Sequence, residues 1–478
     1  MRSSCAPDAA CPDRPSGGPS GCQGTTAVRG RLVWFRDDPF LTSSDEALVY
    51  VDDGLLVCHD GKIVAAGDHG RLVRDLPPGV TVESYRDKLI LPGLVGSHAH
   101  YVQVRIIAEY GEELLDWLRD YVYPEERRFA DASYARPIAA LFCDELLRNG
   151  TTTAMVHCAT SPQSVDALFE ESVGRGMRLV AGKVLMDRKA PSDVLDSSPE
   201  QAYEESRKLI ERWHGVGRSV YAVTPRFAYT CSSEMLRVAG ALWREHPGTL
   251  LQTHLAENRW EVAKVAELFP PPRYRDYVDV YEKHGLLGPG AVFAHAVHLR
   301  KREWERLHHT GSGVSHCPTS NLFLGSGLFR MKRAARRSRR VPVGLGSDVA
   351  GGTSLSLLQT ASEAYKVGAL RGYPMDGVKL FYLATVGSAT AMRLDHLVGS
   401  LEPGHEADFV VLDPAATPQL DARTADVDSV NDLLFSLAVM GDDRAVLATY
   451  LAGRLAHRRD ACPGPLPVRP TDTRGDRS

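Results

Sequence analysis

The chain lacks any long hydrophobic run and any strong excess of charge of one sign. No uninterrupted apolar stretch in its 478 residues is long enough to span a bilayer, and no apolar signal-peptide core follows Met1 and Arg2. It carries 56 Lys and Arg against 60 Asp and Glu, which gives a formal net charge of −4. A nearly balanced charge offers no general attraction to nucleic acid or to an anionic membrane. We therefore expect neither of them as a partner.

Cysteine is scarce, and its spacing carries no signature. The nine cysteines are odd in number and form no CxxC pair. Such usage is typical of reduced thiols, so the sequence predicts a cytoplasmic protein without a disulfide framework.

The chain does contain a regular alternation of strand-like and helix-like segments. Eight apolar segments of strand length lie near residues 89–98, 151–158, 179–186, 219–228, 249–256, 291–295, 312–316 and 341–348. Stretches with helical periodicity separate most of them, among them Tyr134–Arg148, Glu200–Trp213, Glu234–Glu245, Val262–Leu268 and Lys301–His308. Alternating strands and helices form parallel sheets, so we predict an α/β fold with a (β/α)₈ TIM barrel over residues 91–396.

The segments on either side of this barrel have a different pattern. Residues 26–90 contain short alternating runs broken by Asp-Gly pairs at 53–54 and 60–61, both of which predict hairpin turns. Residues 397–462 contain similar short runs. We predict that the two flanks form one small composite β-sandwich domain built from both ends of the chain.

Both chain ends and one internal stretch are strongly polar. Residues 1–25 and 463–478 have no apolar block, and we predict that they are disordered. The stretch from Arg330 to Arg340 holds seven Lys or Arg residues. We interpret it as a solvated helix on the barrel exterior, with a patch that binds an anion or a partner as the alternative.

The most informative segment is the apolar run that ends in His98 and His100. Alternate residues of a strand point to the same face, so both imidazoles can be aimed at one metal ion. Later apolar runs also end in possible ligands, at His254, His295 and Asp348. The carboxyl ends of the strands form the active site of a TIM barrel, and these five residues fall there. Three or four histidines with one aspartate predict a divalent-metal hydrolytic site, most plausibly for zinc.

Long segments of the chain carry a family resemblance. They are PGLVGSHAHYVQ (92–103), GEELLDWLRDYVYPEERRF (111–129), RNGTTTA (148–154), GKVLMDR (182–188), TPRFA (224–228), THLAEN (253–258), VFAHAVHL (292–299), CPTSNLFLGSGLF (317–329), GLGSDVAGGTSLSLLQTASEAY (344–365) and GHEADFVVLDP (404–414). In these segments the chain resembles the amidohydrolase superfamily, and within it the guanine deaminase family. The resemblance implies hydrolytic deamination of guanine to xanthine and ammonia in guanine catabolism. It also implies one zinc ion per subunit and a homodimer.

The resemblance and the residue types together suggest catalytic roles. The expected metal ligands, which leave a position open for water, are His98, His100, His254 and Asp348. Asp348 is also expected to accept a proton from the attacking water. Glu257 suits general acid/base work, protonating the ring nitrogen and helping ammonia to leave; the alternative is an exposed loop acid or an N-cap partner. His295 is expected to stabilise the tetrahedral carbon, with metal ligation as the alternative.

Three further residues match positions that bind the substrate in the family. Gln103 offers an amide donor and acceptor to a ring edge, and Arg226 offers a fork to the carbonyl oxygen and its neighbouring nitrogen. Phe227 can stack on the purine or contact its edge. The alternatives are a loop amide, a surface ion pair and a core aromatic residue. His254 and His295 are expected to contact the substrate as well.

Two residues keep two interpretations each. Trp117 either closes the pocket as part of a lid or packs a helix, and we favour packing. His157 ends the second apolar run. It is either a satisfied core or rim histidine or a residue that tunes the pocket.

Four rival functions remain to be weighed. An amidohydrolase acting on another purine, a pterin or a triazine would share the metal ligands, so Gln103, Arg226 and Phe227 are the distinguishing set. A dinuclear hydrolase of cyclic amides needs a carboxylated lysine at the fourth strand end, where SVYAVTPRF has none; Lys183 lies in the third strand and is interpreted as structural. A catalytically dead scaffold is disfavoured because every ligand position and Glu257 are present. The zinc deaminases that act on nucleic-acid bases carry a PCxxC signature, which this chain lacks.

Overall fold

The structure, a computed structural model, describes residues 24–111 and 114–460. The predicted disorder of residues 463–478 lies outside these ranges, as does that of residues 1–25 apart from Gly24 and Thr25. Four strands precede the barrel: β1 Thr25–Phe35, β2 Leu48–His59, β3 Lys62–Asp68 and β4 Val82–Pro92.

The next strands form the predicted parallel barrel. They are β5 Leu94–His100, β6 Thr151–His157, β7 Arg178–Gly182, β8 Val184–Leu185, β9 Val220–Pro225, β10 Leu250–Leu255, β11 Ala291–His295, β12 Gly313–His316 and β13 Val343–Leu345. Their order in the sheet is β13-β12-β11-β10-β9-β7-β6-β5, and β8 pairs with β9. Two hydrogen bonds close the ring just beyond β13: Asp348 N–H donates to the His98 carbonyl, and His100 N–H donates to the Val349 carbonyl, both at 3.1 Å. The barrel prediction is confirmed.

The five helices named from periodicity are present, with ends shifted by three residues or fewer. The longer helices are Ala132–Arg148, Pro162–Arg175, Pro199–Trp213, Ser233–Glu245, Arg259–Leu268, Lys301–Thr310, Leu357–Leu370 and Val430–Met440. The shorter α-helices are Ser44–Ala47, His69–Leu72, Leu114–Trp117, Tyr123–Glu126, Tyr277–Lys283, Pro318–Phe323, Met331–Ala334, Gly377–Tyr382, Ser388–Ala391 and Pro418–Thr424. Within the described ranges, no helix combines the length and apolarity that crossing a membrane requires.

The flanks supply three more strands, β14 Phe409–Leu412, β15 Val446–Leu451 and β16 Arg454–Arg458. With β1 to β4 they form one continuous seven-stranded sheet in the order β16-β15-β14-β4-β1-β2-β3. Both chain ends therefore build the same unit, as predicted. Alternate residues of β4 and β14 serve two cores, because Leu91 and Val410 pack against the barrel while Ile90 and Phe409 pack in a second apolar cluster.

Two local predictions in the flank are wrong. The apolar segment 89–98 is not one strand, since its first residues belong to β4 and the barrel strand begins at Leu94. Asp53 and Gly54 do not form a turn but lie inside β2, whereas the pair at 60–61 does form the β2–β3 turn. Gly54 pairs with Gly30, and a Cβ at Gly54 would lie 2.4 Å from Leu32 Cγ. Its glycine therefore permits close packing within a strand rather than a turn.

The basic run is also not the continuous helix that we predicted. Only Met331–Ala334 is α-helical, and a 3₁₀ turn covers Arg337–Arg339. Arg336 between them has an extended backbone. Like charges three and four residues apart repel along a helix, which disfavours a longer one here.

A buried ionic cluster joins the flank sheet to the bottom of the barrel. Glu406, just before β14, accepts hydrogen bonds from Arg178 Nε at 2.9 Å and from Arg218 Nη1 at 2.8 Å. Arg218 also binds Asp408 at 2.8 Å. Arg178 begins β7 and Arg218 lies just before β9, so the contacts are at the end of the barrel opposite the strand-end histidines.

Candidate active site

Four predicted ligands come together at the carboxyl ends of the barrel strands. The possible ligand atoms of His98, His100, His254 and Asp348 all lie within 4.8 Å of one another. Asp348 Oδ1 is 3.1 Å from His98 Nε2 and 3.4 Å from His100 Nε2. His100 Nε2 is 3.0 Å from His254 Nε2. A second possible ligand group shares His98 and Asp348 with the first but contains His295 and Cys317 in place of His100 and His254.

The chemistry of these donors fits a divalent cation. His254 Nδ1 lies 2.7 Å from the Arg226 carbonyl, to which it donates a hydrogen bond, so its Nε2 carries the lone pair that faces His100. Burial lowers the pKa of His100 to about 4 and that of His254 well below its usual range, so both are neutral at neutral pH. Converging neutral nitrogens and a carboxylate form a typical zinc ligand set.

The backbone at two site residues lies in the left-handed region. His295 has φ 71° and Asp348 has φ 48°, although neither is glycine. Such conformations cost free energy and persist where the surrounding structure enforces them, often at functional sites. Here they turn the side chains inward from the ends of β11 and β13.

Glu257 lies beside this cluster and is buried, not an exposed loop acid. Its Oε2 is 3.4 Å from His295 Nε2, and its Oε1 accepts a hydrogen bond from the Ser326 hydroxyl at 2.9 Å. Burial, and then the charge of Asp348, raise the pKa of Glu257 well above its usual range. Burial alone would raise the pKa of Asp348 too, but His295 and His98 hold it well below its usual range. The pKa values of the two carboxyl groups are thus shifted in opposite directions.

One pocket is lined by three of the four predicted ligands, by Glu257 and by the predicted substrate residues. It has an empty volume of about 420 Å³. Its wall comprises His100, Gln103, Leu114, Trp117, Leu118, Arg226, Phe227, His254, Glu257, His295, Leu324, Asp348 and Gly351. Gln103, Arg226 and Phe227 are all buried, which argues against a loop amide and a surface ion pair. Trp117 both packs in the core and lines the pocket.

Glu126 fixes two of the pocket residues and was missed from the sequence. Its Oε1 accepts a hydrogen bond from Gln103 Nε2 at 2.9 Å, and its Oε2 binds Arg226 Nη1 at 2.7 Å. Gln103 Oε1 in turn accepts from the Ala350 N–H at 3.2 Å. The amide and the guanidinium are therefore held in fixed orientations toward the pocket.

Asn321 and Ser326 were also missed. Asn321 Nδ2 lies 2.8 Å from His295 Nδ1, which leaves His295 Nε2 facing Glu257 and Asp348. Both residues, like Glu126, fall inside segments that carry the family resemblance. Their residue types alone gave no reason to single them out.

His157 and Lys183 lie outside the pocket wall. His157 is fully buried, and its ring lies 4.5 Å from that of His100, centroid to centroid. Neither of its ring nitrogens has a hydrogen-bond partner in the described part of the chain, so it is not a satisfied core histidine. Lys183 is buried against Asp196 and Glu205, consistent with the structural interpretation.

Known proteins similar to this chain share both its sequence and its fold. Residues 89–456 match the amidohydrolase family. The chain is 47% identical to the guanine deaminase of Escherichia coli over 91% of its own length and 98% of that protein. It is 40% identical to a probable guanine deaminase of Deinococcus radiodurans, over 89% of this chain and 95% of the other. The solved structure of the Escherichia coli guanine deaminase superposes with a TM-score of 0.88 at 46% identity, covering 91% of this chain and 100% of the other.

Proposed function

The chain belongs to the amidohydrolase family, and we propose that it is a guanine deaminase, which hydrolyses guanine to xanthine and ammonia. The single observation that carries this proposal is the content of one pocket. Three of the four possible metal ligands, the buried acid Glu257, and the Gln103 amide and Arg226 guanidinium all line the same pocket. The similarity to guanine deaminases over nine-tenths of the chain supports the same substrate.

We propose that His98, His100, His254 and Asp348 hold one zinc ion. A bound zinc ion would lower the pKa of a water molecule toward about 7 and so supply a nucleophile at neutral pH. Burial lowers the pKa of His100 and His254 and so keeps both imidazoles unprotonated, which is the form that a metal requires.

Glu257 and Asp348 divide the proton transfers between them. The raised pKa of Glu257 favours the protonated carboxyl group, whose proton can be given to the ring nitrogen next to the carbon under attack. The lowered pKa of Asp348 keeps it ionised, so it can accept a proton from the attacking water. Two carboxyl groups whose pKa values are pushed apart are a common arrangement for acid and base roles in one site. His295, 3.4 Å from Glu257, lies where it can stabilise the tetrahedral carbon.

Gln103, Arg226 and Phe227 select the ring. After binding Glu126, Gln103 retains a second amide hydrogen and a free carbonyl lone pair, and Arg226 retains unused N–H donors. These can pair with the carbonyl oxygen and the ring nitrogens of guanine. Phe227, 6.2 Å from His254 between ring centroids, offers an aromatic surface to the purine.

Ammonia release from guanine, adenine, cytosine, guanosine, a pterin and a triazine, each with and without a chelator, tests the proposal. We expect rapid, chelator-sensitive release from guanine alone. Release from another member with guanine untouched would retain the metal site and show that the three ring-binding residues were assigned to the wrong substrate.

We further propose a homodimer that works in the cytoplasm in purine catabolism. These statements rest on the family resemblance and on the reduced cysteines, of which Cys58, Cys143, Cys158, Cys231 and Cys317 are free and buried. A monomeric mass in sedimentation velocity at micromolar concentration would contradict the dimer.

A further inference from the structure

A second cleft opens beside the active-site pocket and carries an unusual concentration of positive charge. It has an empty volume of about 1190 Å³, and Leu324 belongs to its wall and to that of the pocket. Arg259, Arg330 and Arg371 line it, together with His298. No Asp or Glu occurs among the described residues of its wall. The whole chain has a net charge of −4, so this local excess is not a general property of the protein.

The three arginines are exposed, and none of their side chains makes an ion pair or hydrogen bond within the described ranges. Within the basic run, Arg340 pairs with Asp38 at 2.9 Å and Arg339 pairs with Glu305, whereas Arg330 has no such partner in the part of the chain that the structure describes. The charges of the three cleft arginines also all act on His298. Burial lowers the pKa of His298, the hydrogen bond to the Ser326 carbonyl opposes this, and the charges of all three arginines lower it further.

We propose that this cleft binds a phosphate group, either free or carried by a nucleotide. Guanidinium groups match phosphate oxygens in geometry and bind them through charge-assisted hydrogen bonds. Three unpaired guanidiniums around one concave surface have no other counter-ion in the described structure. Trp260 lines the same cleft and is 43% exposed, which offers an aromatic surface on which a nucleotide base could stack.

Ser326 connects this cleft to the active site. Its carbonyl lies 2.7 Å from His298 Nε2 in the cleft, and its hydroxyl donates to Glu257 Oε1 at 2.9 Å in the pocket. A phosphate that shifts His298 or the loop around Ser326 would therefore change the hydrogen bond to Glu257. This coupling rests on the proposed function, whereas binding of the phosphate does not.

Calorimetry on the metal-loaded full-length protein tests the binding. The probes are inorganic phosphate and adenosine 5′-monophosphate at constant ionic strength; a guanine nucleotide is avoided because its base could enter the active site. Loss of even one charge-assisted contact weakens binding about tenfold, so R259Q/R330Q/R371Q should lose affinity by at least about that factor. The matched control is R333Q/R336Q/R337Q, which removes the same charge from exposed arginines of the basic run that do not line the cleft.

Equal binding of both probes identifies free phosphate as the ligand. Tighter binding of the nucleotide, lost in Trp260→Ala, identifies a nucleotide. If neither probe binds, or if the control variant loses as much affinity as the cleft variant, the proposed site is overturned. Coupling predicts that saturating probe changes kcat for guanine by about fivefold or more. Binding without any change in kcat would overturn the coupling and leave the site intact.

Discussion

Replacing Glu126 by Gln removes one negative charge from beneath the pocket without changing the size of the side chain. The carboxylate accepts from Gln103 Nε2 at 2.9 Å and from Arg226 Nη1 at 2.7 Å. A glutamine has only one acceptor oxygen, so its amide group must face either the amide hydrogens of Gln103 or the guanidinium. One hydrogen bond is lost, and the Arg226 charge is left buried without a counter-ion.

The burial of this pair sets the expected magnitude. The side chains of Arg226 and Glu126 are 3% and 1% exposed. Breaking a buried ion pair by removing one partner costs about 3–5 kcal/mol of folding free energy. A misplacement of about 1 Å in a positioning group can lower the rate about 10²-fold. We therefore expect both a lower free energy of unfolding and a decrease of about 10²-fold in kcat/KM for guanine.

Two assays separate positioning from general damage. Urea unfolding measures the stability, and kcat/KM is compared between guanine and 2-aminopurine, which lacks the carbonyl oxygen assigned to Arg226. We expect the preference for guanine to collapse in Glu126→Gln. Glu125→Gln is the matched control, because Glu125 is the adjacent buried acid but binds Tyr134 and Arg128 instead. Kinetics within about twofold of wild type, with the substrate preference unchanged, would refute the positioning role of Glu126.

Three further outcomes are expected. Glu257→Gln should keep its metal content by elemental analysis while kcat falls by about 10² or more; near-wild-type turnover would remove Glu257 from proton transfer. Chelation should abolish ammonia release and lower the Tm, and zinc should restore both, since a ligand that binds only the folded state stabilises it; an unchanged Tm and activity in metal-free protein would contradict the metal site. Burial raises the pKa of Glu406, but Arg178 and Arg218 outweigh it and hold the pKa below its usual value. Its stabilisation is therefore present above about pH 4.3, the unfolded value, and is lost as the pH falls through the folded pKa. Glu406→Gln should cost about 3 kcal/mol at pH 7 and flatten the acid limb of a Tm-against-pH curve, and a parallel curve would count against this.

The sequence was sufficient for the barrel and for the cluster at its top. The position of a strand end can be predicted from a local sequence pattern, and parallel strands bring their carboxyl ends together. The proximity of His98, His100, His254 and Asp348 could therefore be predicted from the sequence. The segment 89–98 was misassigned because its two halves belong to two different sheets. Both halves are buried and apolar, so the sequence does not show where one strand ends and the next begins. Gly54 was misassigned for a related reason. An Asp-Gly pair has the same sequence whether it forms a turn or lies inside a strand that packs closely on its neighbour.

Residues that act through another side chain were beyond sequence reasoning. Glu126 is one of two adjacent glutamates, and only the three-dimensional structure shows which of them reaches Arg226. Asn321 is an ordinary helix residue and Ser326 an ordinary loop residue until their contacts with His295 and Glu257 are known. The three cleft arginines come from separate parts of the chain, so their convergence has no local signal.

The seam of the barrel has a consequence for how the protein is made. The hydrogen bonds that close the ring join Asp348 and Val349 to His98 and His100, so ring closure and completion of the ligand set involve the same residues. Synthesis proceeds from the N-terminus at about 5–20 residues per second. A nascent chain therefore contains His98 and His100 while some 250 further residues are synthesised, between positions 98 and 348, before it contains Asp348. The proposed metal site can thus be complete only after residue 348 has been synthesised, and a ribosome-stalled fragment that ends before Asp348 should lack a complete ligand set.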